Sequence, residues 1–189
     1  SNYVAHGKEV GVVDVFLFPK YALPTPSYSQ IIAKEAELLD YEIELCARFD
    51  RKINTMDDFN ASSKGFFLCG DFTDRAALLR LVDKDNVASG IGFTDGKSGA
   101  GRFPIGVFTV VPKDWSAFIA QIKLTLKVNG QVRQSSNAGL MVKQLDHIIA
   151  STFIEKNSIR WTYNAKNIPL LKDNTLHKGQ SILTNLKMH

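Results

Sequence analysis

Residues 121–135, with the sequence QIKLTLKVNGQVRQS, give the strongest local indication of structure in the chain. Apolar and polar side chains alternate there, and the pair Asn129-Gly130 favours the positive φ angles that both central residues of a tight hairpin turn require. The stretch therefore predicts a β-hairpin. Residues 107–111 are predicted as a strand before this hairpin. A helix candidate follows the hairpin from Leu140 to Ser151, and Gly179 to Thr184 is predicted as a final strand. This combination of predicted helices and strands favours an α+β fold that is rich in strands.

The composition is that of an ordinary globular domain. The chain has 189 residues, 44% of them hydrophobic and 22% charged, which is enough to bury one core without disulfides or zinc. The formal net charge is +4, but lysines and arginines are scattered rather than grouped with aromatic residues, so we expect no nucleic-acid partner. No apolar run approaches the roughly 20 residues that span a bilayer, so we expect no membrane insertion.

Two cysteines, Cys46 and Cys69, show no C-x-x-C spacing. We expect no secretory segment, and two such cysteines then favour a reducing compartment, so we expect a cytoplasmic protein. Cys46 is predicted to be a reduced thiol that is buried at or beside the site described below and does not bind metal.

The first residues differ from the remainder of the chain. Residues 1–30 contain Pro19, Pro24 and Pro26 and no long periodic pattern, so they are interpreted as an amino-terminal lid and an extended segment. Residues 31–189 are predicted to form one catalytic domain, which makes the chain a single-domain protein.

Two glutamates are the first candidates for chemistry. After a helix candidate from Ile31 to Leu38, residues 40–50 alternate with period two, which predicts a strand. Glu42 and Glu44 then point to the same face with Cα atoms about 7 Å apart, close enough to share one cation. The alternative is the solvent-facing polar side of an edge strand, and spacing alone favours that alternative.

A third carboxylate shifts the balance towards a metal site. Residues 66–69 predict a short buried strand that leads through Asp71 into a helix from Thr73 to Leu79, with Thr73 as its cap. Three carboxylates, with water in the remaining positions, suit Mg²⁺ or Mn²⁺, and the absence of a His/Cys cluster argues against zinc.

Three further residues are candidates for catalysis. His6 and Glu9 are three apart on a predicted helical turn, so the carboxylate could orient an imidazole that deprotonates water. Lys97 lies in a glycine-rich loop and could hold a substrate carboxylate or a developing enolate. A surface ion pair and a solvated loop lysine are the ordinary alternatives, and spacing alone favours them.

Five motifs resemble those of the fumarylacetoacetate hydrolase superfamily. NYVAHGKE at 2–9 resembles its N-Y-x-x-H-x-x-E segment, and YEIEL at 41–45 resembles its Y-E-x-E-L strand. GDFTDR at 70–75 is similar to its N-D-x-T-x-R-D junction. The spacing of Lys97 from Pro104 and Gly106 matches the family's K-x-x-x-x-x-x-P-x-G loop. VNGQVRQ at 128–134 is similar to its V-N-G-E-x-x-Q hairpin. Together the motifs cover nearly the whole chain in the family's order.

The resemblance implies a strand-rich mixed β-sandwich roll, usually a homodimer. It implies a divalent metal, Mg²⁺ or Mn²⁺, held by Glu42, Glu44 and Asp71. It also implies a mobile lid on which His6 and Glu9 activate water.

For the substrate, the resemblance implies that Arg75 and Lys97 order the site and hold an oxo acid. A 2-oxo acid would chelate the metal through a carboxylate oxygen and its keto oxygen, so that the metal stabilises the enolate that leaves.

The activity expected from this resemblance is metal-dependent hydrolysis of a carbon–carbon bond in a small 2-oxo acid, either an acylpyruvate or a fumarylpyruvate-like compound. The first alternative is an oxaloacetate decarboxylase or a 2-oxo acid hydratase or isomerase that uses the same metal-enolate step. The second is a degenerate, non-catalytic member. Ala138, where the family commonly has Thr, and the altered carboxyl-terminal motif around residues 181–184 favour that second alternative.

Overall fold

The computed structural model describes residues 15–184, so His6 and Glu9 lie outside the described residues. The strands are β1 (Pro24–Pro26), β2 (Leu39–Asp40), β3 (Ile43–Phe49), β4 (Lys64–Gly70), β5 (Thr73–Asp74), β6 (Phe103–Ile105), β7 (Lys123–Val128), β8 (Gln131–Asn137), β9 (Trp161–Tyr163), β10 (Lys166–Ile168) and β11 (Ile182–Leu183). The α-helices are α1 (Met56–Ala61), α2 (Arg75–Leu81), α3 (Phe93–Lys97), α4 (Trp115–Gln121) and α5 (Leu145–Ile154). This is the α+β class that the sequence predicts.

The largest sheet has five strands in the order β1-β6-β4-β3-β11. β1 runs parallel to β6, and the other neighbours are antiparallel. β3 and β4 pair along their full length, from Ile43 opposite Gly70 to Phe49 opposite Lys64. β3, the strand that carries Glu44, is therefore an interior strand with partners on both sides.

The two faces of β3 bury different kinds of side chain, because successive residues of a strand point to opposite faces. Leu45, Ala47 and Phe49 lie in the main hydrophobic core, with residues from α4, β7 and α5 such as Ile119, Leu124, Leu145 and Ile149. Cys46 points the other way and packs with Phe67, Cys69 and Phe103 in a second, smaller cluster. Glu42 and Glu44 lie four and two residues before Cys46, so they point to the same face as Cys46. The sheet therefore separates the two glutamates from the main core.

The predicted hairpin is confirmed. β7 and β8 pair antiparallel around Asn129 and Gly130, whose φ angles are 51° and 79°. The final strand is also confirmed, since β11 pairs with β3. Within residues 15–184, none of the helices has the length and apolar character that crossing a membrane would require.

Three local expectations are wrong. Residues 31–38 contain a turn instead of a helix, because Leu38 uses its backbone to bond Asp74 and Arg75 across the β2–β5 pair. The helix expected from Leu140 begins at Leu145, after a short 3-10 turn at Ala138–Leu140. Residues 107–111 form only an isolated bridge, between Phe66 and Val110, and no strand.

The expected reduced thiol at Cys46 is also wrong, because Cys46 and Cys69 form a disulfide with their Cα atoms 6.0 Å apart. The strand register explains the pairing. Cys46 lies opposite Phe67 and Glu44 lies opposite Cys69, so the two cysteines are diagonal neighbours on one face of β3 and β4. The two cysteines are 23 residues apart in the sequence, and that separation alone does not predict that they are bonded. The expected burial of Cys46 is confirmed.

Candidate active site

The two glutamates of the β3 segment are buried, contrary to the edge-strand alternative. Glu42 is 6% exposed and Glu44 is 0% exposed. That alternative fails because β11 occupies the remaining edge of β3, with Leu183 opposite Cys46 and the backbone N–H of Thr184 donating to the Leu45 carbonyl. A buried carboxylate is expensive unless it is paired or bound to a cation, so the site must provide positive charge.

The hairpin fixes the backbone between these glutamates. The backbone N–H of Ile43 donates to Gln134 Oε1 at 2.6 Å, and Gln134 Nε2 donates to the Ile43 carbonyl at 2.9 Å. The Gln134 side chain is nearly buried. One amide thus satisfies both backbone groups of the residue that separates Glu42 from Glu44. The sequence contained Gln134 within the hairpin motif, but its positioning role was missed.

Asp71 joins Glu42 at the end of β4. Its backbone N–H donates to the Glu42 carbonyl at 2.8 Å, and the residue is 5% exposed. The helix α2 that follows is capped by Asp74, which accepts from two backbone N–H groups, and not by Thr73 as predicted. Thr73 is instead free to direct its hydroxyl into the site, where it accepts a hydrogen bond from Lys97.

Lys97 connects the carboxylates. It lies at the end of α3 and is 4% exposed, so the alternative of a solvated loop lysine is wrong. Its Nζ donates to Glu42 Oε2 at 2.9 Å, to Thr73 Oγ1 at 3.0 Å and to Asp71 Oδ2. Burial alone would lower the pKa of Lys97, but the Asp71 and Glu42 carboxylates outweigh it and raise that pKa above its ordinary value. The two carboxylates therefore favour the protonated, cationic form of Lys97.

Arg75 holds the other oxygen of Glu42. Its guanidinium donates to Glu42 Oε1 at 3.0 Å and, through Nε, to Asp40 Oδ2 at 2.7 Å. Both oxygens of Glu42 thus face a cation, one from Arg75 and one from Lys97. The expectation that Arg75 helps to order the site agrees with this geometry.

Lys20 was not identified from the sequence. Its Nζ donates to Asp71 Oδ1 and to the carbonyl of Arg102 at 2.7 Å, and its side chain is 9% exposed. Burial lowers the pKa of Lys20 in spite of the neighbouring Asp71 carboxylate. Burial also opposes ionisation of Asp71, but Lys97 and Lys20 together lower the pKa of that carboxyl. No pattern marks Lys20, because it lies in an irregular, proline-containing segment outside the motifs.

A cavity of about 410 Å³ adjoins this charged network. It lies beneath the segment 16–24, and its lining includes Lys20, Asp71, Phe103 and Arg48. That volume is within the usual range for small-molecule sites. Since apolar and charged groups line the same space, the cavity suits a small organic anion.

The carboxylates fit a divalent cation in part. Glu42 and Asp71 both contact one atom, Lys97 Nζ, so their oxygens converge, and carboxylate oxygens are the ligands that Mg²⁺ and Mn²⁺ prefer. Glu44 is buried on the same strand face, yet within residues 15–184 no three His, Cys, Asp or Glu side chains are gathered as for a metal ion. The three-ligand set therefore stays a prediction, as does the role of His6 and Glu9.

The chain belongs to the fumarylacetoacetate hydrolase family, because the family description "Fumarylacetoacetate (FAA) hydrolase C-terminal" matches residues 1–155. Among curated proteins, it is 26% identical over 184 residues to "Oxaloacetate tautomerase FAHD1, mitochondrial" of Bos taurus, with 92% of this chain and 80% of that protein covered. It is 30% identical over 156 residues to "Oxaloacetate tautomerase FAHD2B, mitochondrial" of Homo sapiens, with 79% of this chain and 47% of that protein covered. Both relatives are enzymes.

Solved structures of the family share the fold. The 5-carboxymethyl-2-hydroxymuconate delta-isomerase of Mycobacterium smegmatis matches with a TM-score of 0.56 at 20% identity, covering 97% of this chain and 64% of that one. The 2-hydroxyhepta-2,4-diene-1,7-dioate isomerase of Mycobacterium marinum matches with a TM-score of 0.52 at 19% identity, covering 87% and 51%. This chain thus spans less than two thirds of either structure. The expected family fold is confirmed.

Proposed function

We propose that this protein is a divalent-metal-dependent enzyme that interconverts the enol and keto forms of a small 2-oxo acid such as oxaloacetate. The observation that carries the proposal is the buried network in which Glu42 and Asp71 converge on Lys97 beside a cavity of about 410 Å³. The similarity to oxaloacetate tautomerases over 92% of the chain supports the choice of reaction.

Glu42 and Asp71, with Glu44 as a third ligand, would hold Mg²⁺ or Mn²⁺, which when bound supplies a Lewis acid for negative charge on the keto oxygen. Lys97 and Arg75 hold the Glu42 carboxylate in a fixed orientation through one hydrogen bond to each of its oxygens. The three hydrogen bonds of Lys97 Nζ are directed at Glu42, Asp71 and Thr73. In this arrangement Lys97 positions the ligands, and its further role as a substrate ligand is part of the proposal.

Tautomerisation also needs a group that moves a proton to or from the carbon next to the keto group. His6 is the candidate, oriented by Glu9 three residues later. An imidazole can take and return a proton near neutral pH, which suits an equilibrium between two tautomers. The cavity wall of segment 16–24 would limit the access of bulk water to the enolate.

A panel assay tests the proposal. Purified protein is mixed with enol-oxaloacetate, keto-oxaloacetate, several acylpyruvates and a hydratable 2-oxo-pentenoate, with and without Mg²⁺, and the ultraviolet absorbance of the enol or diketone is followed. We expect Mg²⁺-dependent acceleration of the oxaloacetate interconversion. Absence of any metal-dependent reaction across the panel would refute the proposal.

Hydrolysis of a carbon–carbon bond in an acylpyruvate is the second candidate. The observation that favours it is the His6–Glu9 pair, because a histidine oriented by a carboxylate can deprotonate a water molecule. The same assay separates the candidates, since hydrolysis releases pyruvate and a carboxylic acid whereas tautomerisation releases nothing. Oxaloacetate decarboxylation would be recognised by release of carbon dioxide.

The non-catalytic alternative receives little support from Ala138. Its side chain is 0% exposed and lies in the main hydrophobic core. The methyl group therefore fills space between the hairpin and the helices, and the network around Lys97 is built without it. The altered carboxyl-terminal motif still forms β11, and Thr184 Oγ1 donates to the Leu45 carbonyl at 2.9 Å.

We also propose that the protein is a homodimer. Large apolar side chains are exposed along β4 and the segment that follows β6, namely Leu68, Val107, Phe108, Val110 and Val111. Leu68 and this segment are adjacent, because the backbone N–H of Gly106 donates to the Leu68 carbonyl. A contiguous exposed apolar strip of this kind is typical of a protein interface, and a two-fold dimer would bury it against its own copy.

A further inference from the structure

Arg48 has an unusual environment for a charged residue. It lies on β3, which has β4 and β11 on either side, it shares the strand face of Glu44, and it is half-buried. Its guanidinium carbon is 4.3 Å from the centre of the Phe67 ring, and its Nε donates to Ser181 Oγ at 3.1 Å. Within the part of the chain that the structure describes, no carboxylate forms an ion pair with Arg48. A half-buried cation without a counter-charge is unfavourable, so this position suits an anion from outside the chain.

The cavity of about 410 Å³ extends to Arg48. The described residues of its lining include three cationic side chains, Lys20, Arg48 and Lys172, and one acidic side chain, Asp71. Asp71 is already paired with Lys20 and Lys97. The charge of Arg48 is therefore not balanced by the wall of the cavity, and an anionic ligand would balance it.

Arg48 and Asp71 lie at opposite ends of the β3–β4 pair. Asp71 directly follows Gly70, the last residue of β4, whereas Arg48 pairs with Gly65. Gly65 and Gly70 are separated by about 16 Å along the strand, at roughly 3.3 Å per residue. The Arg48 guanidinium lies over Phe67, between those two glycines, and so covers part of that distance. The two charged ends of the cavity are therefore on the order of 10 Å apart.

The wall between the two charged ends is apolar. Ala22, Phe103 and Leu183 line the cavity and belong to, or pack against, the hydrophobic cluster around the Cys46–Cys69 disulfide. A ligand with an acid group at each end and several methylene groups between them matches this order of charged, apolar and charged walls. Oxaloacetate has a single methylene group between its keto group and its second carboxylate, so it is too short to contact both ends.

We propose that Arg48 and Ser181, which both line the cavity, form a second anion-binding subsite for the terminal carboxylate of an elongated 2-oxo dicarboxylate. The inference rests on the proposed function for the other end of the ligand, where the 2-oxo acid group lies beside Lys20 and Asp71. Arg48 Nη1 and Nη2 donate to the two oxygens of the terminal carboxylate, while Nε keeps its hydrogen bond to Ser181 Oγ. The Ser181 hydroxyl, which accepts from Nε, has its own proton left to donate to the same carboxylate.

Calorimetric titration of the full chain with two matched acids, in the presence of Mg²⁺, tests this subsite. 2-Oxosuberate and 2-oxooctanoate have carbon chains of equal length and differ only in the terminal carboxylate. We expect the wild type to bind 2-oxosuberate about tenfold or more tightly than 2-oxooctanoate, the scale of a hydrogen bond between charged groups. Arg48→Met should bind both acids with the affinity that the wild type has for 2-oxooctanoate, which also shows that the variant is folded. No preference in the wild type, binding of neither acid, or an undiminished preference in Arg48→Met overturns the proposal.

Two controls separate a subsite from a general effect of charge. Arg80→Met, at an exposed arginine of α2, should keep the wild-type preference for 2-oxosuberate. The shorter pair of 2-oxoglutarate and 2-oxopentanoate does not reach Arg48, so Arg48→Met should leave the ratio of their affinities unchanged. An equal loss of preference for the shorter pair would indicate long-range attraction and would overturn the subsite.

The titrations measure binding and not turnover, so the two proposals fail separately. Turnover of no oxo acid would refute the proposed function and leave a measured preference for 2-oxosuberate standing. Turnover of oxaloacetate without that preference would refute the Arg48 subsite and leave the proposed function standing.

Discussion

Gln134, on the hairpin, closes a pair of hydrogen bonds with the backbone of Ile43, at 2.6 and 2.9 Å. Ile43 is the residue between the two glutamates of the candidate metal site. The hairpin therefore acts on the site through this amide side chain.

The first prediction concerns this contact. Gln134→Ala leaves two partly buried backbone groups of Ile43 without their partner and should destabilise the protein by about 1–3 kcal/mol. Mn²⁺ affinity should fall as well, because Glu42 and Glu44 lose their fixed orientation. Urea unfolding and Mn²⁺ titration measure the two effects. Gln131→Ala, at an exposed position of the same strand, is the control, and equal behaviour of the two variants would contradict the role of Gln134.

The disulfide gives the second prediction. Reduction of Cys46–Cys69 should lower the free energy of unfolding by about 2–4 kcal/mol, the usual range for one native bridge. Denaturant unfolding with and without dithiothreitol measures this difference, and the double variant Cys46→Ala/Cys69→Ala should be insensitive to the reductant. Full alkylation of both cysteines in unfolded protein that was never reduced would show that the bond does not form.

The third prediction concerns the exposed apolar strip. Phe108 is 82% exposed, and Phe108→Asp should convert a dimer into a monomer by placing a charge in the interface. Light scattering coupled to size-exclusion chromatography measures the mass. Ile154→Asp, at a residue of α5 that is 83% exposed, is the control and should stay dimeric. A wild-type protein that is monomeric at micromolar concentration would rule the homodimer out.

Much of the fold follows from local patterns. The hairpin and the strand of residues 40–50 were predictable, because period-two alternation and an Asn-Gly turn are local signals. The approach of Asp71 to Glu42 is a tertiary contact, and it was expected from the family resemblance and from the position of Asp71 at a strand end. The family resemblance added the architecture, which sequence patterns alone do not define.

The missed features depend on tertiary contacts. The Cys46–Cys69 disulfide follows from the register of β3 and β4, which no local pattern records. Lys20 and the Gln134 clamp are likewise defined by partners 51 and 91 residues away. The burial of Glu44 could not be predicted from the local sequence, because it depends on β11, which covers the edge of β3.

The fourth prediction addresses the proton transfer. His6→Ala should lower turnover of the best substrate by roughly 10²–10⁴-fold, the usual effect of one positioned general acid or base. Metal binding should be unchanged, because the proposed ligands Glu42, Glu44 and Asp71 lie on or next to β3 and β4 and not in the amino-terminal segment. Steady-state assays and Mn²⁺ titration on one preparation separate the two effects. Full turnover by His6→Ala would assign the proton transfer to another group.

The most direct measurement of the central claim is the Mg²⁺ dependence of oxaloacetate interconversion in wild type and Glu42→Ala. The wild type should lose its activity in a chelator and recover it when Mg²⁺ is restored. Glu42→Ala should lose both Mn²⁺ binding and activity, because Glu42, which shares Lys97 with Asp71, is one of the proposed metal ligands. Glu35→Ala, at an exposed glutamate, should behave like the wild type. Full, chelator-resistant turnover by Glu42→Ala would contradict the account.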